Sequence, residues 1–229
     1  METGFVAGVD GCRAGWVWFK IYDSGRTEAA RVSLVDVLRQ RPSGLRALAI
    51  DIPIGLLDGA RACDKAARRL LGSPRRSSVF PAPCRSALAG VHYEDMCRIN
   101  KSVVGAKLTQ QSCAIAPKIK EVDDAITPAH QVWAFEIHPE VCFWHFAGET
   151  AMEHKKKSKA GREERLNVLI RHLPNIADHL ASLPGGVGTD DLLDAAVAGL
   201  TARRWSRDDA ERVCEPEYDA RGLRVEIVY

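Results

Sequence analysis

The sequence lacks the features that mark membrane, disulfide-stabilised and zinc-binding proteins. Its 229 residues contain no apolar stretch long enough to cross a bilayer, and the start, Met1-Glu2-Thr3-Gly4, has none of the basic residues that open a signal peptide. The seven cysteines are odd in number, widely spaced and never arranged as Cys-x-x-Cys, which argues against a disulfide framework and a zinc site. A net charge of +2 is too small to indicate nucleic-acid or membrane binding by itself. We therefore expect a cytoplasmic protein that does not bind membranes, of undetermined oligomeric state.

What the chain does contain is the composition of an ordinary globular protein. Hydrophobic residues make up 46% of it and charged residues 27%, proportions that allow a packed core and argue against disorder. A length of 229 residues suits one good-sized domain. We expect a single domain over residues 1–229, with a helical insertion at about residues 56–130.

An apolar run near the start of the chain predicts a buried strand that ends in a carboxylate. The run covers residues 5–9, ends in Asp10 and breaks at Gly11, a pattern typical of a strand followed by a tight turn. Residues 16–22 are again strand-like and are expected to pair with it as an antiparallel hairpin, and residues 28–33 predict a third strand of a meander. Asp10 could also serve only as a turn residue, since Asp-Gly is a common turn dipeptide.

A second strand repeats this design. Residues 45–51 form a small and aliphatic run that ends in Asp51. A short helix predicted over residues 34–40 separates it from the meander, and a strand-helix-strand unit normally makes a right-handed parallel crossover. Because the carboxyl ends of parallel neighbours meet at one edge of a sheet, we expect Asp10 and Asp51 to lie close together.

Two later segments bring further acids. Residues 131–137 return to strand character and contain Glu136. The last long helix is predicted to start with Thr189 as its N-cap, and it carries Asp191 and Asp194. The helix dipole alone accounts for Asp191 in the first turn. Asp194 lies beyond that turn, on a helix whose small residues indicate close packing.

The remaining segments supply basic residues and connections. A helix is predicted over residues 107–124, which Pro117 should kink or split. Residues 154–159 predict a basic loop, and residues 223–229 a final edge strand. Basic side chains of the insertion can cover the acidic edge of the sheet, or they form ordinary solvated helix faces, which is the commoner case for any single residue.

Three or four carboxylates at one sheet edge predict a cation site. They would repel one another and raise their pKa values unless a cation compensates them. Mg²⁺ takes oxygen ligands and completes its shell with water and substrate phosphates, and two such ions can activate a water and stabilise the leaving oxygen of a phosphodiester. The sequence therefore predicts one or two Mg²⁺ or Mn²⁺ ions and a nucleic-acid or nucleotide substrate, which agrees with the basic flanking segments.

Five motifs follow one another along the chain: Gly8-Val9-Asp10-Gly11-Cys12-Arg13-Ala14-Gly15-Trp16, Asp51-Ile52-Pro53-Ile54-Gly55, Ser78-Val79-Phe80-Pro81-Ala82-Pro83, Glu136-Ile137-His138-Pro139-Glu140 and Asp190-Asp191-Leu192-Leu193-Asp194-Ala195. Together they resemble the motifs of the family called domain of unknown function 429 (DUF429), which is described as predicted nucleases of ribonuclease H fold. The resemblance covers nearly the whole chain.

This resemblance implies both a fold and a set of site residues. The implied fold is α/β, a ribonuclease H-like mixed sheet of five strands in the order 3-2-1-4-5, flanked by helices, with a helical insertion after the fourth strand. The implied catalytic and metal-binding residues are Asp10, Asp51, Glu136 and Asp194, with Asp191 as an alternative or additional helix ligand. The implied phosphate-binding residues are Arg13, Arg85 and Lys118.

We therefore expect a divalent-metal-dependent phosphodiester hydrolase, that is, a nuclease. A non-catalytic module that binds a nucleotide or nucleic acid is one alternative, and it predicts fewer than three converging carboxylates. A phosphate-transfer ATPase of the same fold superfamily is another. Such ATPases need two domains of this kind around a cleft, for which 229 residues with one set of motifs are too few.

Overall fold

A computed structural model describes residues 4–229 and is built around one mixed sheet. Its strands are β1 (Phe5–Cys12), β2 (Gly15–Tyr22), β3 (Thr27–Val32), β4 (Leu45–Ile50) and β5 (Ala134–Glu136). They lie in the order β3-β2-β1-β4-β5. The first three form an antiparallel meander, β4 runs parallel to β1, and β5 runs parallel to β4. The predicted fold class and strand order are therefore confirmed.

Eight α-helices accompany these strands over the described residues. They are α1 (Leu34–Arg39), α2 (Ala62–Arg75), α3 (Tyr93–Val104), α4 (Gln110–Ala125), α5 (Pro139–Phe146), α6 (Lys159–Ile170), α7 (Ile176–Ala181) and α8 (Thr189–Trp205). Short 3-10 helices cover Arg76–Ser78, Arg85–Ala89 and His130–Val132. Across the described residues, no helix combines the length and apolar character that crossing a membrane requires.

The sheet carries a helical layer on each face, because successive side chains of a strand point to opposite sides. On one face, Val6 of β1 and Ala49 of β4 pack with α8 in the larger hydrophobic core. On the other face, Val9 and Ile50 pack with residues of α1 and α4. Every residue of α8 from position 192 to 202 is buried, so this helix is the central element of its layer.

Helix α8 lies unusually close to β1, and Gly8 makes this approach possible. A Cβ atom at position 8 would lie 2.1 Å from the backbone nitrogen of Gly199 and 2.2 Å from the carbonyl oxygen of Ala195. Real Cβ contacts are rarely shorter than 3.4 Å, so any side chain here would force the helix away from the strand. This contact fixes α8 relative to the carboxyl end of β1.

The insertion between β4 and β5 has a small core of its own. The buried residues of this core are Cys84, Ala87, Met96, Cys97, Leu108 and Ala116. Pro117 does not split α4, which continues through it from Gln110 to Ala125. The proline lies on the exposed side of the helix, while Ile119 on the other side is fully buried in the sheet core, so the packed face compensates the missing backbone hydrogen bond.

Two further expectations were wrong in detail. The last segment forms no edge strand over residues 223–229: only β7 (Arg224–Val225) is paired, with β6 (Glu217–Tyr218), and Val228 makes isolated bridges beyond it. The reason is burial, since Val225, Ile227 and Val228 all lie in the core rather than alternating between core and solvent. The N-cap of α8 is Gly188 rather than Thr189.

Candidate metal centre

Asp10 and Asp51 lie side by side at the carboxyl edge of the sheet. Strands β1 and β4 are paired so that Val9 is opposite Ile50, and each aspartate is the next residue. The backbone N–H of Asp51 donates to the carbonyl oxygen of Val9 at 2.9 Å, which extends the ladder by one step. Because Val9 and Ile50 face the α1 and α4 layer, alternation turns both aspartates toward α8. The Gly11 N–H donates to Asp10 Oδ1 at 2.6 Å.

Asp194 reaches the same place from α8. It lies on the buried stretch of that helix, one residue before Ala195, whose carbonyl oxygen faces Gly8 of β1. One carboxylate oxygen from each of Asp10, Asp51 and Asp194 lies within 4.8 Å of the other two. Three of the acids predicted to lie at this edge therefore converge, at a point enclosed by strand ends on one side and a helix on the other.

These three carboxylates share an environment that disfavours their charged forms. Burial, followed by repulsion from Asp51 and Asp194, raises the pKa of Asp10 well above its usual value. Burial likewise raises the pKa of Asp51 to about 6, and burial raises that of Asp194 although Lys156 opposes the change. A cation bound next to these acids would stabilise their charged forms.

Lys156 supplies one positive charge from within the chain. Its Nζ lies 2.6 Å from Asp194 Oδ2. Attraction to Asp194, more than to Asp10 or Asp51, holds the pKa of Lys156 above its ordinary range. No sequence pattern distinguishes Lys156, because it belongs to the basic run 154–159 and its partner lies 38 residues further along the chain.

His138 is a second residue near the acids that the motifs alone did not assign. Its Nε2 lies 3.3 Å from the carbonyl oxygen of Ser78. Burial lowers the pKa of His138, against an opposing effect of Asp51, which favours the neutral imidazole. Its Nδ1 is buried and finds no hydrogen-bond partner among the described residues.

Asp191, the alternative helix ligand, has a capping role in the structure. Its Oδ2 accepts a hydrogen bond of 2.9 Å from the Gly188 N–H, which satisfies one free donor at the start of α8. Burial raises the pKa of Asp191, and its charge adds to the repulsion felt by Asp10. Asp191 thus lies at the margin of the group, while Asp194 is in it.

Glu136 lies on the opposite face of the sheet from the three aspartates. It is paired with Ile50 rather than with Asp51, and in a strand a shift of one residue reverses the face. There its Oε2 accepts hydrogen bonds from Arg61 Nη2 at 2.5 Å and from the Ile54 N–H at 2.6 Å. Burial raises the pKa of Glu136 to about 8, with Arg61 opposing. The structure places Glu136 where it holds the loop that follows Asp51.

Arg85, expected to bind phosphate, is engaged by two acids of the fold. Its Nε and Nη2 form a bidentate pair with Asp123, at 2.9 and 3.0 Å, and Nη2 also contacts Asp219. Hydrogen bonds to Asp123 are the main cause that raises the pKa of Arg85. The structure therefore ties this guanidinium between α4 and the C-terminal segment.

The other two basic residues lie near the turn that follows Asp10. Lys118 Nζ donates to the carbonyl oxygen of Gly15 and lies 4.6 Å from the centre of the Trp16 ring. A Cβ atom at Gly11 would lie 2.8 Å from Lys118 Cδ, so this side chain passes directly over the turn. Arg13 is exposed in the same turn.

The fold and the site together define a class of protein. It is an α/β protein with a mixed five-stranded sheet in the order β3-β2-β1-β4-β5, and carboxylates meet at the carboxyl ends of its parallel strands β1 and β4. A family model described as "Protein of unknown function (DUF429)" matches residues 8–219, and the chain belongs to that family. Comparison with curated proteins gave no significant match, and comparison with solved structures gave none either.

Proposed function

We propose that this chain is a divalent-metal-dependent phosphodiester hydrolase that acts on nucleic acid or on a nucleotide. The observation that supports the proposal is the convergence of Asp10, Asp51 and Asp194, whose oxygens lie within 4.8 Å of one another. A module that only binds nucleotides does not need three converging carboxylates, two of them buried, at one point. Their mutual repulsion is a cost that a cation-dependent site explains.

The donor set fits a hard divalent ion. All three groups offer carboxylate oxygens, which Mg²⁺ and Mn²⁺ prefer over nitrogen and sulfur ligands. Asp10, Asp51 and Asp194 would hold the ion. When bound, it supplies a Lewis acid for the phosphate and lowers the pKa of a coordinated water.

The chain's own residues fix the geometry of this site. The Gly11 N–H restrains the Asp10 carboxylate. The close contact between Gly8 and α8 fixes the position of α8 against β1, and with it the position of Asp194 relative to Asp10. The Arg61–Glu136 pair holds the loop behind Asp51 through the Ile54 N–H. Hydrolysis of a phosphodiester adds one water: its oxygen bonds to phosphorus, the bond to one ester oxygen breaks, and that oxygen leaves with a proton.

The test compares Asp10→Asn with Asp58→Asn, an exposed acid in the loop after β4. Wild type and both variants are incubated with single-stranded and duplex DNA, RNA, a branched DNA junction and a nucleoside triphosphate, with Mg²⁺, Mn²⁺ or EDTA. We expect cleavage by the wild type and Asp58→Asn that requires the divalent ion, and none by Asp10→Asn. Because Asp10 is a buried acid with a raised pKa, its amide should leave the stability unchanged or higher.

The outcomes separate the alternatives. Cleavage that survives in pure Asp10→Asn protein refutes the role of this site. Binding and slow hydrolysis of the nucleoside triphosphate, without action on any nucleic acid, would favour a phosphate-transfer ATPase. Tight nucleotide or nucleic-acid binding with no hydrolysis would favour a binding module.

A further inference from the structure

The Lys156 side chain extends from the solvent to Asp194, the most buried acid of the site. Its Nζ is 2.6 Å from Asp194 Oδ2, and its side chain is 38% exposed while that of Asp194 is 1% exposed. We propose that Lys156 is the fixed second cation of a site that holds one divalent ion, and that its ammonium group also contacts the substrate phosphate. This inference rests on the proposed hydrolase function and specifies how its site is charged.

The backbone beside Lys156 is held in place from several sides. Both oxygens of Glu164 accept backbone N–H groups, from Glu153 at 2.7 Å and from His154 at 3.0 Å. The carbonyl oxygen of His154 accepts from Arg75 Nη1 at 3.3 Å and from Arg165 Nη1 at 3.2 Å. Arg165 is itself fully buried. A basic loop that only needs to be soluble would not require this set of anchors.

The start of α6 fixes the other side of the loop. Ser158 Oγ donates to the carbonyl oxygen of Lys155 at 2.8 Å and accepts from the Gly161 N–H at 3.0 Å. A Cβ atom at Gly161 would lie 2.0 Å from the Lys155 oxygen, so helix and loop are in direct backbone contact. Lys156, one residue from this contact, is therefore presented to Asp194 by a defined backbone.

The charges of the site balance with one ion when Lys156 is counted. Three ionised aspartates and one ammonium group carry a net charge of −2, which a single divalent ion neutralises. Two divalent ions would leave a net charge of +2 in a largely buried place. Glu136, which could have supplied a further negative charge, faces Arg61 on the other side of the sheet. The charge count thus favours one ion plus the lysine.

The spacing of the oxygens also suits one ion. Oxygen ligands lie about 2.0–2.1 Å from Mg²⁺, so two of them on one ion are at most about 4 Å apart. The three aspartate oxygens, within 4.8 Å of one another, need only small side-chain movements to meet this limit. The ammonium group has three donors and Asp194 uses one of them, which leaves donors for a phosphate oxygen.

The experiment measures Mn²⁺ binding and cleavage in the same set of full-length proteins. The variants are Lys156→Met, which removes the charge, Lys156→Arg, which keeps it, and Lys159→Met as the matched control. Lys159 is on the same basic segment, but its side chain is 89% exposed and its ion pair is with Glu163, at 3.8 Å. Mn²⁺ stoichiometry and affinity are read by calorimetry and by electron paramagnetic resonance of the free ion, and folding by thermal melting.

We expect the two readouts to move in opposite directions in Lys156→Met. The wild type should bind one Mn²⁺ at this site, and the variant should bind it about tenfold tighter or more, because a positive charge next to the ion has been removed. Cleavage should fall about 100-fold, the usual effect of losing one electrostatic contact to a reacting oxygen. Lys156→Arg should bind Mn²⁺ like the wild type, and Lys159→Met should match the wild type in both readouts.

Other results overturn the inference. Two Mn²⁺ ions in the wild-type site, or Mn²⁺ affinity that is unchanged or weaker in Lys156→Met, would show that the lysine is not the second cation. A purely structural role would lower the melting temperature without tightening Mn²⁺ binding.

The inference and the proposed function fail in different ways. If the wild type cleaves phosphodiesters but Lys156→Met cleaves equally well with unchanged Mn²⁺ affinity, the hydrolase stands and the role of Lys156 falls. If Mn²⁺ binds more tightly to Lys156→Met but no protein of the set cleaves any substrate, the charge role stands and the hydrolase falls. A wild type that binds no Mn²⁺ overturns both.

Discussion

Replacing Gly8 with alanine tests how the fold positions the metal centre. The added Cβ atom would lie 2.1 Å from the Gly199 nitrogen, 2.2 Å from the Ala195 oxygen and 2.5 Å from the Ala198 carbonyl carbon. All three are backbone atoms of one buried helix, so no flexible side chain can move aside. Helix α8 must retreat by about 1 Å to restore ordinary contact distances.

The expected loss of stability follows from this forced movement. Overpacking of a well-packed core typically costs about 1–3 kcal/mol, occasionally more. Alanine recovers about 0.5–1 kcal/mol of that through the lower entropy of the unfolded chain. Because the clash involves backbone only, we expect a net loss of about 2–3 kcal/mol for Gly8→Ala, which lowers the melting temperature by roughly 5–10 °C.

Two matched glycine variants calibrate the measurement. Gly59→Ala should be neutral or more stable by up to about 1 kcal/mol, because among the described residues no atom beyond its chain neighbours lies within 4 Å of the added Cβ. In Gly199→Ala the nearest atom is the Phe19 oxygen at 3.1 Å, a mild contact that the better helix propensity of alanine, about 1 kcal/mol, offsets. It should stay within about 1 kcal/mol of the wild type.

The assay combines urea unfolding with Mn²⁺ titration. Since α8 carries Asp194, a retreat of the helix from β1 should weaken Mn²⁺ binding by Gly8→Ala about tenfold, through misplacement of one ligand. Gly199→Ala and Gly59→Ala should keep the wild-type affinity. Wild-type stability and wild-type Mn²⁺ affinity in Gly8→Ala would refute the claim that this strand–helix contact sets the site.

Three further predictions concern single charged residues. In metal-free protein, the stability of the wild type relative to Asp51→Asn should fall as the pH rises from about 4 to 6.5, by about 3 kcal/mol at most. Burial raises the pKa of Asp51 from 3.8 to about 6 in the folded state. The protonated side chain therefore contributes its full stability below the pKa of the unfolded state, and this contribution is lost as the pH rises through the pKa of the folded state. A pH-independent difference in urea melts would contradict this. Glu136→Leu should lower the free energy of unfolding by about 3 kcal/mol, because it removes the acceptor that the buried Arg61 guanidinium and the Ile54 N–H share. Mn²⁺ affinity should change less than about threefold; lost Mn²⁺ binding with intact stability would instead make Glu136 a ligand. Arg85→Met should lower stability by about 1.5–3 kcal/mol, since it removes charge-assisted hydrogen bonds to two buried acids, of which Asp123 keeps Arg221 and Asp219 keeps backbone donors. The KM for substrate should stay unchanged; a raised KM without loss of stability would support its predicted phosphate contact.

The sheet and the three aspartates were within reach of sequence reasoning because their signals are local. A run that ends in Asp10 and a similar run that ends in Asp51 each identify a strand end, and the helix between them makes the strands parallel. Parallel neighbours then bring their carboxyl ends together without further information. Asp194 stood out because it lies past the first turn of a helix rich in small residues, which indicated the close packing that Gly8 allows.

What could not be predicted depends on register and on distant partners. Glu136 ends a strand as the other acids do, but its pairing with Ile50 instead of Asp51 turns it to the opposite face, and no local pattern specifies a shift of one residue. Lys156 belongs to a run of lysines of which one reaches the acids and Lys159 stays in solvent. Which lysine reaches the acids is decided by contacts that hold the loop in place, such as those of Arg165, and these contacts come from separate elements of the fold.

The most direct test of the account is an anomalous diffraction experiment on crystals soaked in Mn²⁺, with data collected on both sides of the manganese absorption edge. The account predicts one anomalous peak per chain, in contact with carboxylate oxygens of Asp10, Asp51 and Asp194, and no such peak in crystals of Asp10→Asn. Strong manganese peaks elsewhere on the chain, with none between these three aspartates, would contradict it.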